Sequence, residues 1–214
     1  MPSGPIDPGS LILLPASWAR LNTSVAMSRK PIARVNRHAK SLVPLKLFED
    51  ADIPELLEGL KDPLVLVLDG IQDPHNLGAL LRTADCAGCA FVVITRRNSA
   101  PITETVRRVA VGAAENLPIV LANNLRNALD KLKEAGVWVA GTSDHKASQS
   151  LYNAKLTGPL AIVLGAEGDG IRHLTAETCD LLVSIPMLGT VPCLNVSVAA
   201  GVCLFEVLRQ RGKR

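Results

Sequence analysis

The chain has few aromatic residues and no long apolar run. Aromatic side chains make up 3% of its 214 residues, and no stretch of 18 or more consecutive apolar residues occurs. The lack of a long apolar run argues against a membrane-spanning helix. The chain is nevertheless 48% hydrophobic and 20% charged, with a mean hydropathy of +0.24. It therefore has enough apolar material for a buried core, and wholesale disorder is excluded.

The sequence also lacks a disulfide framework. Its five cysteines are odd in number and lie in apolar segments, which is typical of reduced thiols in a cytosolic-type compartment. Cys86 and Cys89 form a Cys-x-x-Cys pair, but no second pair completes a zinc site, so core packing is the favoured interpretation. The four histidines show no ligand spacing, and no metal site is predicted.

Two nucleotide-binding signatures are missing as well. The first strand-to-helix turn contains only Gly70 and Gly78, whereas a dinucleotide-binding turn requires G-x-G-x-x-G. No G-x-x-x-x-G-K-[ST] motif occurs, which excludes a phosphate-binding P-loop. The sequence therefore argues against NAD binding and against P-loop chemistry.

Acidic residues are almost absent from the first 48 positions. This segment carries seven Lys and Arg residues against one acid, Asp7, for a net charge of +6, whereas the remainder has a net charge of −3. A basic segment beside a mildly acidic domain favours a polyanionic partner such as RNA; a solvated tail and an acid-poor targeting peptide are the alternatives. We divide the chain into a basic N-terminal arm (1–45), a linker with one short helix (46–62) and a domain (63–214).

Apolar strands alternate with amphipathic helices from Leu64 onwards. Continuous apolar runs are typical of parallel strands buried on both faces, and the alternation predicts an α/β fold in which helices flank a parallel sheet. The predicted strands are 64–69, 90–95, 118–121, 137–142, 160–165 and 181–186. The predicted helices are 76–88, 103–114, 124–136, 171–179 and 195–211.

Three loops at the predicted strand ends contain unusual residues. Ligands of open α/β sheets bind beyond the carboxyl ends of the strands, so these loops are the candidate site. The first, DGIQDPHNLG, leads into a helix with Asn76 and Arg82, and the second, GAEGDG, places three glycines around Glu167. The third, IPMLGTVPCLNVS, enters a helix whose first turn holds Asn195 and Ser197, where unpaired N–H groups suit an anionic or carbonyl ligand. Helix capping by the two asparagines and a surface position for Arg82 are the structural alternatives.

These loops resemble the three signature motifs of a known family. The stretches DGIQDPHNLGALLRTADCAG, LAIVLGAEGDGIRHLT and SIPMLGTVPCLNVSVAAGVCLFEVLRQR are similar to those of the SpoU/TrmH RNA ribose 2′-O-methyltransferases of the SPOUT group, over about residues 62–211. VRRVAVGAAENLPIV and LYNAKLTG look most like the bacterial branch that methylates a guanosine of large-subunit ribosomal RNA. The resemblance implies an α/β domain with a C-terminal trefoil knot, which forms a homodimer through the knot and the helix 195–211.

The resemblance also implies roles for individual residues. The expected substrate is RNA, with rRNA favoured and tRNA as the alternative, and the expected cofactor is S-adenosyl-L-methionine (AdoMet). The residues that match the family's catalytic positions are Arg82, Asn76, Glu167 and Asn195. The residues expected to bind AdoMet are Thr142, Gly141, Gly165, Ile185, Leu194 and Met187.

The sequence departs from the family pattern at two places. Cys193 occupies a position that is usually serine, and the N-terminal segment does not resemble the RNA-binding domain that many relatives carry. Two other functions therefore stay open. One is a cytosine-C5 methyltransferase in which Cys193, after Pro192, is the nucleophile; the other is a non-catalytic RNA-binding or ribosome-assembly factor. We expect a cytoplasmic protein, with organellar targeting by the arm as the alternative.

Overall fold

The predicted alternation produces a parallel sheet. The computed structural model describes residues 43–144, 148–166, 168 and 170–212. The central strands are almost wholly apolar and buried along their length, as expected where helices cover both faces. The strands in the described ranges are β1 (Lys46–Phe48), β2 (Leu64–Asp69), β3 (Phe91–Thr95), β4 (Pro118–Ala122), β5 (Trp138–Thr142), β6 (Gln149–Ser150), β7 (Leu160–Gly165) and β8 (Leu181–Ser184).

Helices follow most of these strands. Over the residues that the structure describes, none is long and apolar enough to cross a membrane. A 3-10 turn at Asp50–Asp52 precedes the first of them. The helices are α1 (Ile53–Leu57), α2 (Pro74–Cys86), α3 (Glu104–Ala110), α4 (Ala113–Asn116), α5 (Leu125–Glu134), α6 (His173–Thr178) and α7 (Val196–Arg211).

Two strands that come late in the chain lie between earlier strands of the sheet. All strand pairs are parallel, and the order is β1-β4-β3-β2-β7-β5-β8-β6. β7 therefore lies between β2 and β5, and β8 lies between β5 and β6, although both come later in the chain. The β2 carboxyl end is consequently a neighbour of the β7 end, and the β7 end is a neighbour of the β5 end.

The core has one layer on each face of the sheet. Successive residues of β2 alternate between these layers, as the two-residue period of a strand requires. Leu64, Leu66 and Leu68 pack with α2, α3, α4 and α7, whereas Val65 and Val67 pack with α1 and α5. Apolar burial on both faces is the main stabilising contribution.

The observed elements differ from the sequence predictions at a few positions. The predicted helix 103–114 is two helices, because Val111 (φ 54°) and Gly112 (φ 94°) adopt the left-handed conformation between α3 and α4. The predicted short helix within 46–62 is α1, whose Ile53 is fully buried. The pattern does not indicate β1 or β6, which have three and two residues and pair at the two edges of the sheet.

Candidate active site

The predicted loops meet at the carboxyl edge of four neighbouring strands. The loop that carries Asn76 follows β2, the glycine loop follows β7, Gly141 and Thr142 end β5, and residues 185–194 follow β8. Since these strands are adjacent in the order β2-β7-β5-β8 and all parallel, their carboxyl ends lie side by side. Segments far apart in the sequence thus converge on one edge.

The first loop is held by an aspartate cap. Asp73 Oδ1 accepts a hydrogen bond from the His75 N–H (3.2 Å), and Asp73 Oδ2 accepts one from the Asn76 N–H (3.0 Å). Pro74 then fills the first helical position, where no N–H is needed. The alternative that Asn76 caps this helix is wrong, because Asp73 is the cap and the side chain of Asn76 faces a different partner.

That partner is Asn195, which lies 119 positions away in the sequence. Asn195 Nδ2 donates to Asn76 Oδ1 at 3.0 Å. Asn195 also caps α7, since its Oδ1 accepts from the N–H (2.9 Å) and from the hydroxyl (2.6 Å) of Ser197. The backbone N–H can only donate, so it fixes the orientation of the Asn195 amide. One asparagine therefore both caps the last helix and joins the first loop to the third.

Arg82 lies on α2, beyond Asn76. Its side chain is exposed, and it forms no hydrogen bond or ion pair with another described residue. α2 packs directly on α7, so Arg82 belongs to the helix pair that carries the two asparagines. Its guanidinium is therefore available to a ligand. Glu167, the fourth predicted catalytic residue, lies outside the described residues.

The start of the glycine loop is packed against its own end. Ala166 and Gly170 form an antiparallel bridge, with the Gly170 N–H donating to the Ala166 carbonyl at 3.0 Å. A Cβ atom on Gly165 would lie 1.9 Å from the carbonyl carbon and oxygen of Gly170 and 2.2 Å from the nitrogen of Ile171. Glycine is needed at position 165 because the loop closes over it.

The end of β5 is shaped by packing of the same kind. A Cβ atom on Gly141 would lie 2.7 Å from the sulfur of Cys179 and 2.8 Å from Cδ1 of Ile171. The Thr142 hydroxyl donates to the Val163 carbonyl of β7 at 3.1 Å. In this structure the space beside Gly141 and Gly165 and the hydroxyl of Thr142 are taken up by the protein itself, so these residues shape the edge of the sheet.

Residues 185–194 provide open backbone groups. Among the described residues, this segment forms no backbone–backbone hydrogen bond, so its N–H and C=O groups are open to a ligand. Ile185 and Leu194 are half-buried, and Met187 is 38% exposed. Two further apolar side chains, Leu188 and Val191, are strongly exposed here. The sequence analysis did not single them out, although the run of apolar residues within a Pro- and Gly-containing loop was a usable signal.

Asp69 is a second residue that the sequence analysis did not single out. It ends β2, and its carboxylate is fully buried and accepts hydrogen bonds from Arg172 and Thr175. A usable signal was present, because Asp69 is the one charged residue in an otherwise apolar strand. It lies at the junction between the first loop and the glycine loop.

The cysteines fall into two groups. Burial raises the pKa of Cys89, Cys179 and Cys203 to about 12, so these thiols stay protonated at neutral pH. Cys86 is exposed, which contradicts the expectation that it packs in the core, since α2 ends there. Cys193 is exposed too, just before the helix cap Asn195. Across the described ranges, no group of three or more His, Cys, Asp or Glu residues could hold a metal ion.

Comparison with known proteins gives consistent matches. Residues 63–205 match the SpoU rRNA Methylase family. The chain is 54% identical over 168 residues to the 23S rRNA (guanosine-2′-O-)-methyltransferase RlmB of Vibrio vulnificus, covering 78% of this chain and 68% of that protein. It is 53% identical over 195 residues to the protein of the same name from Pectobacterium atrosepticum, covering 91% and 77%.

Comparison with solved structures supports the same family. The SpoU methyltransferase AviRb from Streptomyces viridochromogenes, in complex with the cofactor AdoMet, matches with a TM-score of 0.69 at 25% identity, over 75% of this chain and 65% of that one. An RNA 2′-O ribose methyltransferase matches with a TM-score of 0.62 at 36% identity, over 70% and 57%. The family match, the identities and the shared fold together show that this chain belongs to the SpoU rRNA methylase family.

Proposed function

We propose that the protein transfers a methyl group from AdoMet to a ribose 2′-hydroxyl of RNA, and that its target is a guanosine of large-subunit ribosomal RNA. The observation that carries the proposal is the junction of the first and third loops through Asn76 and Asn195, beside the open backbone of residues 185–194. The names of the relatives that are more than half identical support the same substrate. A cytoplasmic location follows from that substrate.

The residues at the carboxyl edge fit AdoMet. The free N–H and C=O groups of residues 185–194 suit the adenine and ribose, and the half-buried Ile185 and Leu194 provide apolar contacts. Gly165 and Gly141 let the neighbouring backbones approach closely enough to wall the site. AdoMet supplies the methyl group on a positively charged sulfonium. We therefore assign Thr142, Gly141, Gly165, Ile185, Met187 and Leu194 to the cofactor site.

In this proposal Arg82 binds the RNA substrate. A guanidinium is permanently charged, donates only, and binds a phosphate through two parallel hydrogen bonds. We assign it to hold the RNA phosphate and the reacting ribose, so that the 2′-oxygen lies in line with the methyl group. Its exposure and the lack of a described partner support this role.

Asn76 and Asn195 position the two substrates relative to each other. Their hydrogen bond ties the helix that carries Arg82 to the helix that follows the cofactor segment. The N-terminus of α7, with the positive end of its helix dipole, follows that segment. We assign Glu167 to orient Arg82 or Asn195, from its match to the family motif.

We also propose that the domain, residues 63–214, is knotted. The insertion of β7 and β8 between earlier strands supports this proposal, because the C-terminal part of the chain returns to the middle of the sheet. The end of α7 is tied to the segment before β7. Gln210 Oε1 accepts from the Leu156 N–H (2.9 Å), Gln210 Nε2 donates to the Ala154 carbonyl (3.0 Å), and Arg211 donates to the Gly158 carbonyl.

An apolar surface near this region supports a homodimer. Val198 and Phe205 of α7 are 52% and 50% exposed, and Leu188 and Val191 are exposed beside the helix start. Exposed apolar side chains in such numbers mark an interaction surface. We propose that two copies meet through α7 and the segment 185–194. We also propose that a basic arm (1–45) precedes the domain and is connected to it by residues 46–62, of which β1 and α1 join the sheet and the core. The arm's charge supports a contact with RNA phosphates.

The test is methylation by the full chain. The protein is incubated with tritiated AdoMet and total RNA from cells that lack it, and the separated rRNA and tRNA are digested to nucleosides for mass spectrometry. We expect label on 2′-O-methylguanosine from the large-subunit RNA. Label on the base would favour the cytosine-C5 enzyme, label in tRNA would replace rRNA as the substrate, and RNA binding without label would favour the assembly factor.

A further inference from the structure

Asp69 lies where both the first loop and the glycine loop of the site begin. Its carboxylate is completely buried at the carboxyl end of β2. Oδ1 accepts from Arg172 Nε (2.7 Å) and is in ion-pair contact with Arg172 Nη2 (2.6 Å). Oδ2 accepts from the Arg172 N–H (3.1 Å) and the Thr175 hydroxyl (2.7 Å). Three hydrogen bonds and this ion pair therefore satisfy both oxygens, and the charge on the guanidinium strengthens its contact with the carboxylate.

Arg172 and Thr175 follow the C-terminal end of the glycine loop. Arg172 is the cap residue of α6, directly after Gly170 and Ile171. The near end of the loop is fixed at the same place, because Gly165 of β7 is paired in register with Asp69 of β2. Both ends of the loop thus depend on one residue of the neighbouring strand. Asp69 is also followed directly by the loop that leads to Asn76 and Arg82.

We propose that Asp69 is a positioning residue for the cofactor loop, acting through Arg172 and Thr175. The inference rests on the proposed function, since it assigns the glycine loop to the AdoMet site. Asp69 touches neither substrate; it sets where the loop lies relative to the RNA-side loop. Loss of its charge or its second acceptor oxygen opens the far end of the loop. The effect appears in the binding of AdoMet, because a loop that is no longer held in its binding conformation must be ordered again when the ligand binds.

The test compares three variants by calorimetry with AdoMet at a temperature where each is folded. Asp69→Asn places an amide N–H₂ against donors, and we expect Kd to rise roughly tenfold or more. Arg172→Met removes the guanidinium from a side chain that is 56% exposed, so it leaves the core intact and should raise Kd in the same direction. Arg172→Lys keeps the charge but presents one ammonium in place of the two guanidinium nitrogens, and it should recover part of the affinity.

Asp180→Asn is the matched control. Asp180 also accepts from a backbone N–H, that of Val139 (2.8 Å), and from a cation, Lys133 (2.9 Å). It lies near the start of β5, at the opposite edge of the sheet from the loop. We expect a lower Tm and an unchanged Kd for AdoMet in this variant. The comparison separates loss of stability from loss of loop position.

Steady-state kinetics give a second measurement. Misplacement of the cofactor loop should raise the KM for AdoMet and leave the KM for RNA within about threefold. The proposal is overturned if Arg172→Met and every folded form of Asp69→Asn bind AdoMet like the wild type, or if only kcat falls. Failure of the wild-type protein itself to bind AdoMet would instead refute the proposed function.

Discussion

Replacement of Gly165 by alanine tests the closed form of the glycine loop. The added Cβ would lie 1.9 Å from two backbone atoms of Gly170, whereas ordinary contact begins at 3.4 Å. These are backbone atoms, so a rotamer change cannot relieve the overlap, and the far side of the loop must withdraw by about 1.5 Å. That movement breaks the hydrogen bond between the Gly170 N–H and the Ala166 carbonyl.

The cost can be estimated from two contributions. Overpacking costs roughly 1–3 kcal/mol and the lost hydrogen bond about 1 kcal/mol, so the free energy of unfolding should fall by roughly 2–4 kcal/mol. Total stabilities are about 5–15 kcal/mol, so most of the protein should remain folded, with Tm lowered by roughly 5–15 °C. Saturation with AdoMet at about 100 times Kd stabilises a protein by about 2.7 kcal/mol, and we expect the Gly165→Ala variant to lack most of this gain.

The assay is thermal unfolding followed by circular dichroism, with and without AdoMet. Gly201→Ala in α7 is the control, since its nearest neighbour beyond the helix is a Thr83 methyl carbon at 4.0 Å. That variant should gain up to about 1 kcal/mol from helix propensity and keep its response to AdoMet. A Gly165→Ala protein with the wild-type Tm and the wild-type response would show that the loop does not close over Gly165.

Three further variants test the assigned roles. Arg82→Ala should lower methyl transfer by at least roughly a hundredfold and leave the Kd for AdoMet within a few-fold, because Arg82 acts on RNA; near-normal turnover in the tritium assay would refute its role. Cys193→Ser should leave turnover equal or higher, within about tenfold, since a hydroxyl donates a better hydrogen bond than a thiol, whereas a cysteine nucleophile predicts complete loss. Removal of residues 1–42 should weaken RNA binding and flatten its dependence on salt, with AdoMet binding retained; an unchanged slope would remove the arm from the RNA contact.

Local pattern was sufficient for most of the strands. Leu64–Asp69 and Leu160–Gly165 have the predicted bounds, because short continuous apolar runs between turn residues are typical of buried parallel strands. The prediction of a single helix over 103–114 was wrong. Val111, a β-branched residue, adopts a left-handed conformation there that composition does not indicate. The edge strands β1 and β6 were not predicted, because they are too short to show a periodic pattern.

The site was predictable only in part. Motif resemblance identified Asn76 and Asn195, but it could not show that they are bonded to each other, because that contact depends on how α2 packs on α7. The role of Asp69 was hidden for the same reason, since its donors lie more than a hundred positions further along the chain. Contacts of this kind follow from strand order, which alternation alone leaves undetermined.

The position of β7 has a consequence for synthesis on the ribosome. Until residues 160–165 have been made, β2 and β5 have no strand between them, and the side of β2 that faces β7 presents a row of unpaired N–H and C=O groups. The middle of the sheet is therefore completed by one of the last strands, after β2 has waited through about ninety residues of translation, several seconds at ordinary elongation rates. A chain released early, before residue 160, would carry two open sheet edges in place of a core, and such edges are where chains associate with one another.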